Sequence, residues 1–246
     1  MFFRLPDIFY TKPTDPTHIL KYGNKPAHTI RVRIPNTAGP HPLLYTIHGG
    51  QWKSAYTAKQ LEYLCEDLKQ HGIATCNLEF RRLGHQFGGY PGTYDDLDAA
   101  IASTKPHLAD WNINQERISV LGHSSGGHLA FTLQGYNGFG FTPYALIGVA
   151  AVYNLDKITG KFGQVVNEFF GTSPRLSPIN ITQPVTTKQL VIVGSKDKLA
   201  DQAQEYVDKN PQATHKVIDK ASHFTIIDPS SETWSETRQA ILGAIV

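Results

Sequence analysis

The run Gly122-His-Ser-Ser-Gly126 is preceded by the apolar stretch Arg117-Ile-Ser-Val-Leu121 and followed by Gly127-His-Leu-Ala-Phe-Thr-Leu133. That order reads as strand, tight turn and helix. It is the context in which a G-x-S-x-G pentapeptide becomes a nucleophile elbow, with Ser124 on a strained turn above the end of a strand. Glycines flank the serine because a side chain there would meet the neighbouring strand or helix. A chain carrying this unit must build an open sheet whose strand ends are free to present loops.

The rest of the chain supplies such a sheet. His28–Pro35 alternates apolar and polar residues, as a half-exposed edge strand does. Leu43–Ile47 is nearly continuous in apolar residues, as a buried central strand is. Strands are also predicted at Ile73–Leu78, Arg117–Leu121, Ala145–Val152, Leu190–Val193 and His215–Ile218. Helices are predicted over 58–70, from Thr93 with Asp95 and Asp96 in the first turn, after the elbow, over about 200–209, and over about 231–245. This alternation predicts an α/β fold with a mostly parallel central sheet and helices on both faces. Residues 1–246 read as one domain, with 1–27 an irregular N-terminal arm. Residues 153–189 are the least regular part: a short helix falls somewhere in Asn154–Gly171 and a loop in Ser173–Pro184. This stretch is too short for a large lid, so the cap is minimal.

A serine hydroxyl is a weak nucleophile at neutral pH. It needs a base within reach, and the base needs an orienting acid. In open α/β sheets such groups come from loops at the carboxyl ends of strands. Asp197 lies in the Gly-Ser-Lys-Asp turn after the strand ending at Val193, where an acid is expected. His223, in Lys220-Ala-Ser-His-Phe-Thr, follows the last strand, where a base is expected. Eleven histidines make any single one weak evidence; His215 and His128 are the competitors, one at the start of a strand and the other inside the helix after the elbow. His48-Gly-Gly-Gln-Trp52 follows the central strand. There Gly50 and Gln51 can turn backbone N–H groups toward a substrate carbonyl and, with the N–H of Ser125, form an oxyanion hole. His48 is expected to bond to backbone and shape the loop. Trp52 and His123 are the candidate walls of a substrate pocket. Arg81 and Arg82 either fix an anionic substrate group or, the reading preferred here, make structural salt bridges.

Composition narrows the function. A net charge of +2, with no Lys/Arg cluster, gives no nucleic-acid footprint. No apolar run has the length of a membrane span. The N-terminus lacks a basic leader and a cleavage site, so a cytoplasmic location is expected. Cys65 and Cys76 are expected as buried reduced thiols. No Cys/His spacing suggests zinc, so neither metal nor cofactor is expected. The expected partner is a small-molecule acyl substrate, with the protein a monomer or a homodimer.

Taken together, these motifs resemble those of the α/β-hydrolase superfamily, and within it the small esterase and kynurenine formamidase-like group. That group pairs H-G-G-x-W with G-H-S-x-G-x-H-L-A, here His48–Trp52 and Gly122–Ala130. Asn77–Gly84 and Tyr90–Asp96 resemble the same group. The resemblance implies Ser124 as nucleophile, Asp197 as acid, His223 as base and no cofactor. Gln51 departs from the aromatic residue usual in formamidases and from the glycine of hormone-sensitive-lipase-like esterases.

Three functions compete. The first is a serine esterase or small-amide hydrolase working through an acyl-enzyme, with arylformamidase proper as a narrower form. The second is a peptidase of the prolyl-oligopeptidase type, for whose propeller the chain has no room. The third is a binding module on a hydrolase fold; such modules commonly lose a triad member, and here all three residues are in place.

Overall fold

The computed structural model describes residues 13–182 and 186–246. Residues 1–12 of the expected arm, and 183–185, lie outside the described residues. All described strands belong to one eight-stranded sheet, in the order β1-β2-β4-β3-β5-β6-β7-β8. The strands are β1 (His18–Lys21), β2 (Thr29–Arg33), β3 (His41–Ile47), β4 (Ala74–Leu78), β5 (Ile113–His123), β6 (Ala145–Val149), β7 (Lys188–Gly194) and β8 (Ala213–Ile218). From β4 to β8 all neighbours run parallel. β1 and β2 form an antiparallel ribbon joined antiparallel to β4.

Two expectations change here. The arm is not irregular throughout to residue 27, because His18–Lys21 pairs with β2 in the register His18↔Val32 to Lys21↔Thr29. β2 is therefore an inner strand, and β1 is the edge. An edge strand needs no fully buried face, and β1 is largely exposed, so no apolar period marks it.

Helices α1 (Glu62–Gln70), α2 (Gly92–Thr104), α3 (Ser125–Leu133), α4 (Gly160–Phe170), α5 (Ala200–Lys209) and α6 (Trp234–Ile245) cover the sheet. Its strands alternate their side chains between two apolar layers. Leu44, Ile147 and Ile192 pack with Leu64 and Leu68 of α1 and with Trp234 and Ile241 of α6. Tyr45, Val120 and Val191 pack with Leu97, Phe131, Phe169 and Tyr206 of α2, α3, α4 and α5. Each large apolar side chain buried this way contributes about 1.5–3 kcal/mol, so the two layers hold the strand ends rigidly in place.

α4 is the short helix expected between β6 and β7. It buries Val165, Val166, Phe169 and Phe170 on one face and exposes Phe162. Gly171, at φ 57, ends it. α2 begins at Gly92, so Thr93 lies inside its first turn, where its hydroxyl donates to Arg81 O at 2.7 Å.

Candidate active site

The elbow has the expected geometry. β5 ends at His123, Ser124 takes φ 55 and ψ −122, and α3 starts at Ser125. A non-glycine residue in that region is strained and must be held by its surroundings. Ser124 N donates to Val149 O at 3.1 Å, and Ser124 O accepts from His128 N and Val152 N, each at 3.2 Å. Gly126 is required sterically: a Cβ there would lie 2.1 Å from Ile47 O and 2.4 Å from His48 O.

Asp197 and His223 arrive on loops that follow neighbouring strands. Asp197 follows β7, and its Oδ2 lies 2.8 Å from His223 Nδ1; His223 Nε2 lies 3.0 Å from Ser124 Oγ. A carboxylate can only accept, so Nδ1 carries the hydrogen and Nε2 is free to receive the serine proton. Burial works to raise the Asp197 carboxyl, but the contacts with His223 and the Leu199 N–H outweigh it and hold it below the usual carboxylate range. The two loops are laced together: Lys196 N donates to Ala221 O at 3.0 Å and Lys220 N to Ser195 Oγ at 2.9 Å. Neither competing histidine ring bonds to the Ser124 hydroxyl. His128 Nε2 donates to Leu176 O at 2.8 Å, and His215 lies within β8.

The glycine loop reaches the same point. Gly50, Gln51 and Trp52 have φ of 110, 58 and 56, a left-handed run that turns successive N–H groups to one side. Gly49 approaches the elbow so closely that a Cβ there would lie 2.9 Å from Ser124 Cβ. Among the described residues, none accepts a hydrogen bond from the N–H of Gly50, Gln51 or Ser125. The Trp52 N–H donates to Ser125 Oγ at 3.4 Å.

His48 is buried and bonds to backbone as expected: its Nδ1 donates to Gly49 O at 2.7 Å. In a trans peptide the C=O and the following N–H point in opposite directions, so this bond also fixes the direction of the Gly50 N–H. The ring stacks on Phe80, and its Nε2 lies 3.0 Å from Arg82 Nη1. A guanidinium can only donate, so Nε2 accepts the Arg82 N–H; burial pushes the His48 imidazole down.

Arg82, itself buried, also bonds to Phe80 O and pairs with Glu79. Gln60 Oε1 accepts from Gly49 N at 2.8 Å. The sequence marks Arg82 for a structural ion pair but not for its bond to His48, and it does not mark Gln60. Arg81 binds Asp96 through two nitrogens, Nε to Oδ2 at 2.9 Å and Nη2 to Oδ1 at 2.6 Å. Both arginines are thus in structural ion pairs.

The two candidate pocket residues are placed differently from expectation. Trp52 is 4% exposed, wedged between His128 and Phe169. His123 is 0% exposed and donates from Nε2 to His223 O at 2.9 Å. Both are buried behind the site rather than exposed to a substrate, because the loop and the elbow close over them. A groove of ≈ 600 Å³, lined by Lys188, Leu190, Thr214, Lys216 and Glu236 among others, lies at the N-terminal ends of β7 and β8, the far end of the sheet from Ser124, Asp197 and His223. Among the described residues, no group of three or more His, Cys, Asp or Glu is placed to hold a metal ion, and no helix is long and apolar enough to cross a membrane.

Comparison with known proteins agrees with this architecture. The BD-FAE family model matches residues 32–233. A probable isoprenylcysteine alpha-carbonyl methylesterase of Arabidopsis thaliana, ICMEL1, is 22% identical over 91% of this chain and 47% of its own, so the chain spans about half the length of that relative. Esterase B from Lactobacillus rhamnosis, inhibited by a C4-C4 SN3 tributyrin phosphonate, superposes with a TM-score of 0.76 at 18% identity, covering 94% of this chain and 85% of its own. Thermogutta terrifontis esterase 2, phosphonylated by sarin, superposes with a TM-score of 0.78 at 16% identity, covering 94% of each chain. The chain belongs to the BD-FAE family and has the α/β-hydrolase fold.

Proposed function

We propose that this member of the BD-FAE family is a serine esterase for small acyl compounds, working through an acyl-enzyme. The observation that carries the reading is the unbroken line from Asp197 Oδ2 through His223 to Ser124 Oγ, at 2.8 and 3.0 Å, beside three backbone N–H groups that no described residue engages. In the first half-reaction Ser124 Oγ attacks the ester carbonyl while His223 Nε2 takes its proton. Asp197 holds the ring in the productive tautomer and stabilises its positive charge. The N–H groups of Gly50, Gln51 and Ser125 receive the oxyanion, each worth about 10²–10³ in rate. His223 then protonates the departing alcohol. Water, deprotonated by the same nitrogen, releases the acid and restores Ser124.

The esterase names of the relative and of the structural neighbours support ester bonds as substrates. Phe169 packs on Trp52, at the end of the glycine loop, and Phe170 on Tyr90, so aromatic rings back that loop. Small amides such as formamides are the second reading, supported by the pairing of His48–Trp52 with Gly122–Ala130. Hydrolysis of p-nitrophenyl acetate, butyrate and decanoate, followed by N-formylkynurenine, separates these. Activity falling with chain length fits the proposal. Cleavage of the formamide with inert esters would replace it.

A further inference from the structure

His123 is the residue before the nucleophile, and its side chain reaches across the site to the base. Its Nε2 lies 2.9 Å from the backbone oxygen of His223, a residue 100 positions away, and the two rings are 4.9 Å apart. A carbonyl carries no hydrogen, so Nε2–H is the donor and Nδ1 is bare. That Nδ1 is buried with no hydrogen-bond partner, close to the glycine loop: a Cβ on Gly49 would come within 3.1 Å of it. One ring thus touches the elbow, the oxyanion loop and the base loop.

The base loop is laced to the Asp197 loop at Lys220 and Ala221, and the His123 bond holds it at His223 itself. The side chain of His223 is fixed by Asp197 and Ser124, but its backbone follows Lys220, which is held at φ 59. We propose that His123 is a positioning residue for the reaction, holding the His223 backbone so that Nε2 stays within reach of Ser124 Oγ. The inference rests on the serine-hydrolase reading. Burial, reinforced by His223, pushes the His123 imidazole down to about 3. It therefore stays uncharged beside the positive ring that forms in each half-reaction.

Gln and Met have nearly the same length and shape, but only Gln can donate. The test compares His123→Gln with His123→Met on p-nitrophenyl acetate, with wild type and Ser124→Ala alongside. The expected result is a kcat about tenfold or more lower in His123→Met, largely recovered in His123→Gln, with KM changed less than about twofold in both. Wild-type kcat in His123→Met, an equal loss in both variants, or a loss confined to KM would overturn it. An inactive wild type or an active Ser124→Ala would instead overturn the underlying reading. Should His123→Met fail to fold, the 15N imidazole shifts of the wild-type protein decide. A neutral Nε2–H tautomer at His123 supports the tether, and an Nδ1–H or doubly protonated ring contradicts it.

Discussion

Asp197 and His223 stand 26 residues apart in sequence and 2.8 Å apart in space, Oδ2 to Nδ1, on loops that leave adjacent parallel strands. Each strand end fixes one partner, so the pair is set by the sheet. The imidazole tautomer depends on that contact. Asp197→Asn can present an N–H in place of an acceptor, leaving Nε2 protonated and unable to take the serine proton. We expect kcat to fall by about 10³–10⁴ with the melting temperature close to wild type, since the Leu199 N–H is still accepted by the amide oxygen. Ester kinetics with a thermal melt on the same sample check both halves.

Gly49 is where the glycine loop meets Ser124. A methyl group there would be 2.9 Å from both Ser124 Cβ and His123 O. Gly49→Ala must therefore move the loop or the serine, and a misplacement of about an ångström costs about 10² in rate. The expected outcome is a folded protein with kcat/KM about 100-fold lower. Unchanged kcat/KM would show that the loop does not approach as closely as described.

Arg82 joins Glu79 and His48 beneath that loop. Arg82→Met keeps much of the side-chain volume but leaves the half-buried Glu79 without its cation. Breaking a buried pair from one side costs about 3–5 kcal/mol. Urea unfolding is expected to show a loss of that size; a loss under about 1 kcal/mol would mean the pair behaves like a surface contact.

Glu79 also gives the fold an acid dependence. Burial works to raise its carboxyl, but the paired Arg82 guanidinium and the Ala58 N–H outweigh it and hold the carboxyl below the usual carboxylate range. A carboxyl held below its unfolded value adds stability that is complete above the unfolded pKa and is lost as pH falls through the folded one. The stability gap between wild type and Glu79→Gln should therefore be constant above about pH 5 and close as pH falls toward 2. A gap that widened on acidification would reverse the sign assigned to this group.

The residues that act on local geometry were legible in the sequence. Gly122–Gly126 announced the elbow because a strand, a strained serine and a helix are contiguous there. Asp197 and His223 could be found because each follows a recognisable strand. What could not be read depends on partners distant in sequence. Arg82 bonds to a histidine 34 positions away and Gln60 to a backbone nitrogen 11 positions away; nothing in their own neighbourhoods marks those contacts. Trp52 and His123 looked like pocket residues because they sit beside the catalytic motifs. Proximity in sequence says little about which way a side chain turns, and both turn inward. β1 was missed because its four residues are mostly exposed and carry no period.

The central claim is that Ser124 is the nucleophile of an ester hydrolase. The direct measurement is turnover of p-nitrophenyl butyrate by wild type and Ser124→Ala, each checked for folding by circular dichroism. The account predicts a wild-type protein that turns over the ester and a folded mutant that does not, together with labelling by a fluorophosphonate in wild type alone. A folded Ser124→Ala protein that hydrolyses the ester at the wild-type rate would contradict it.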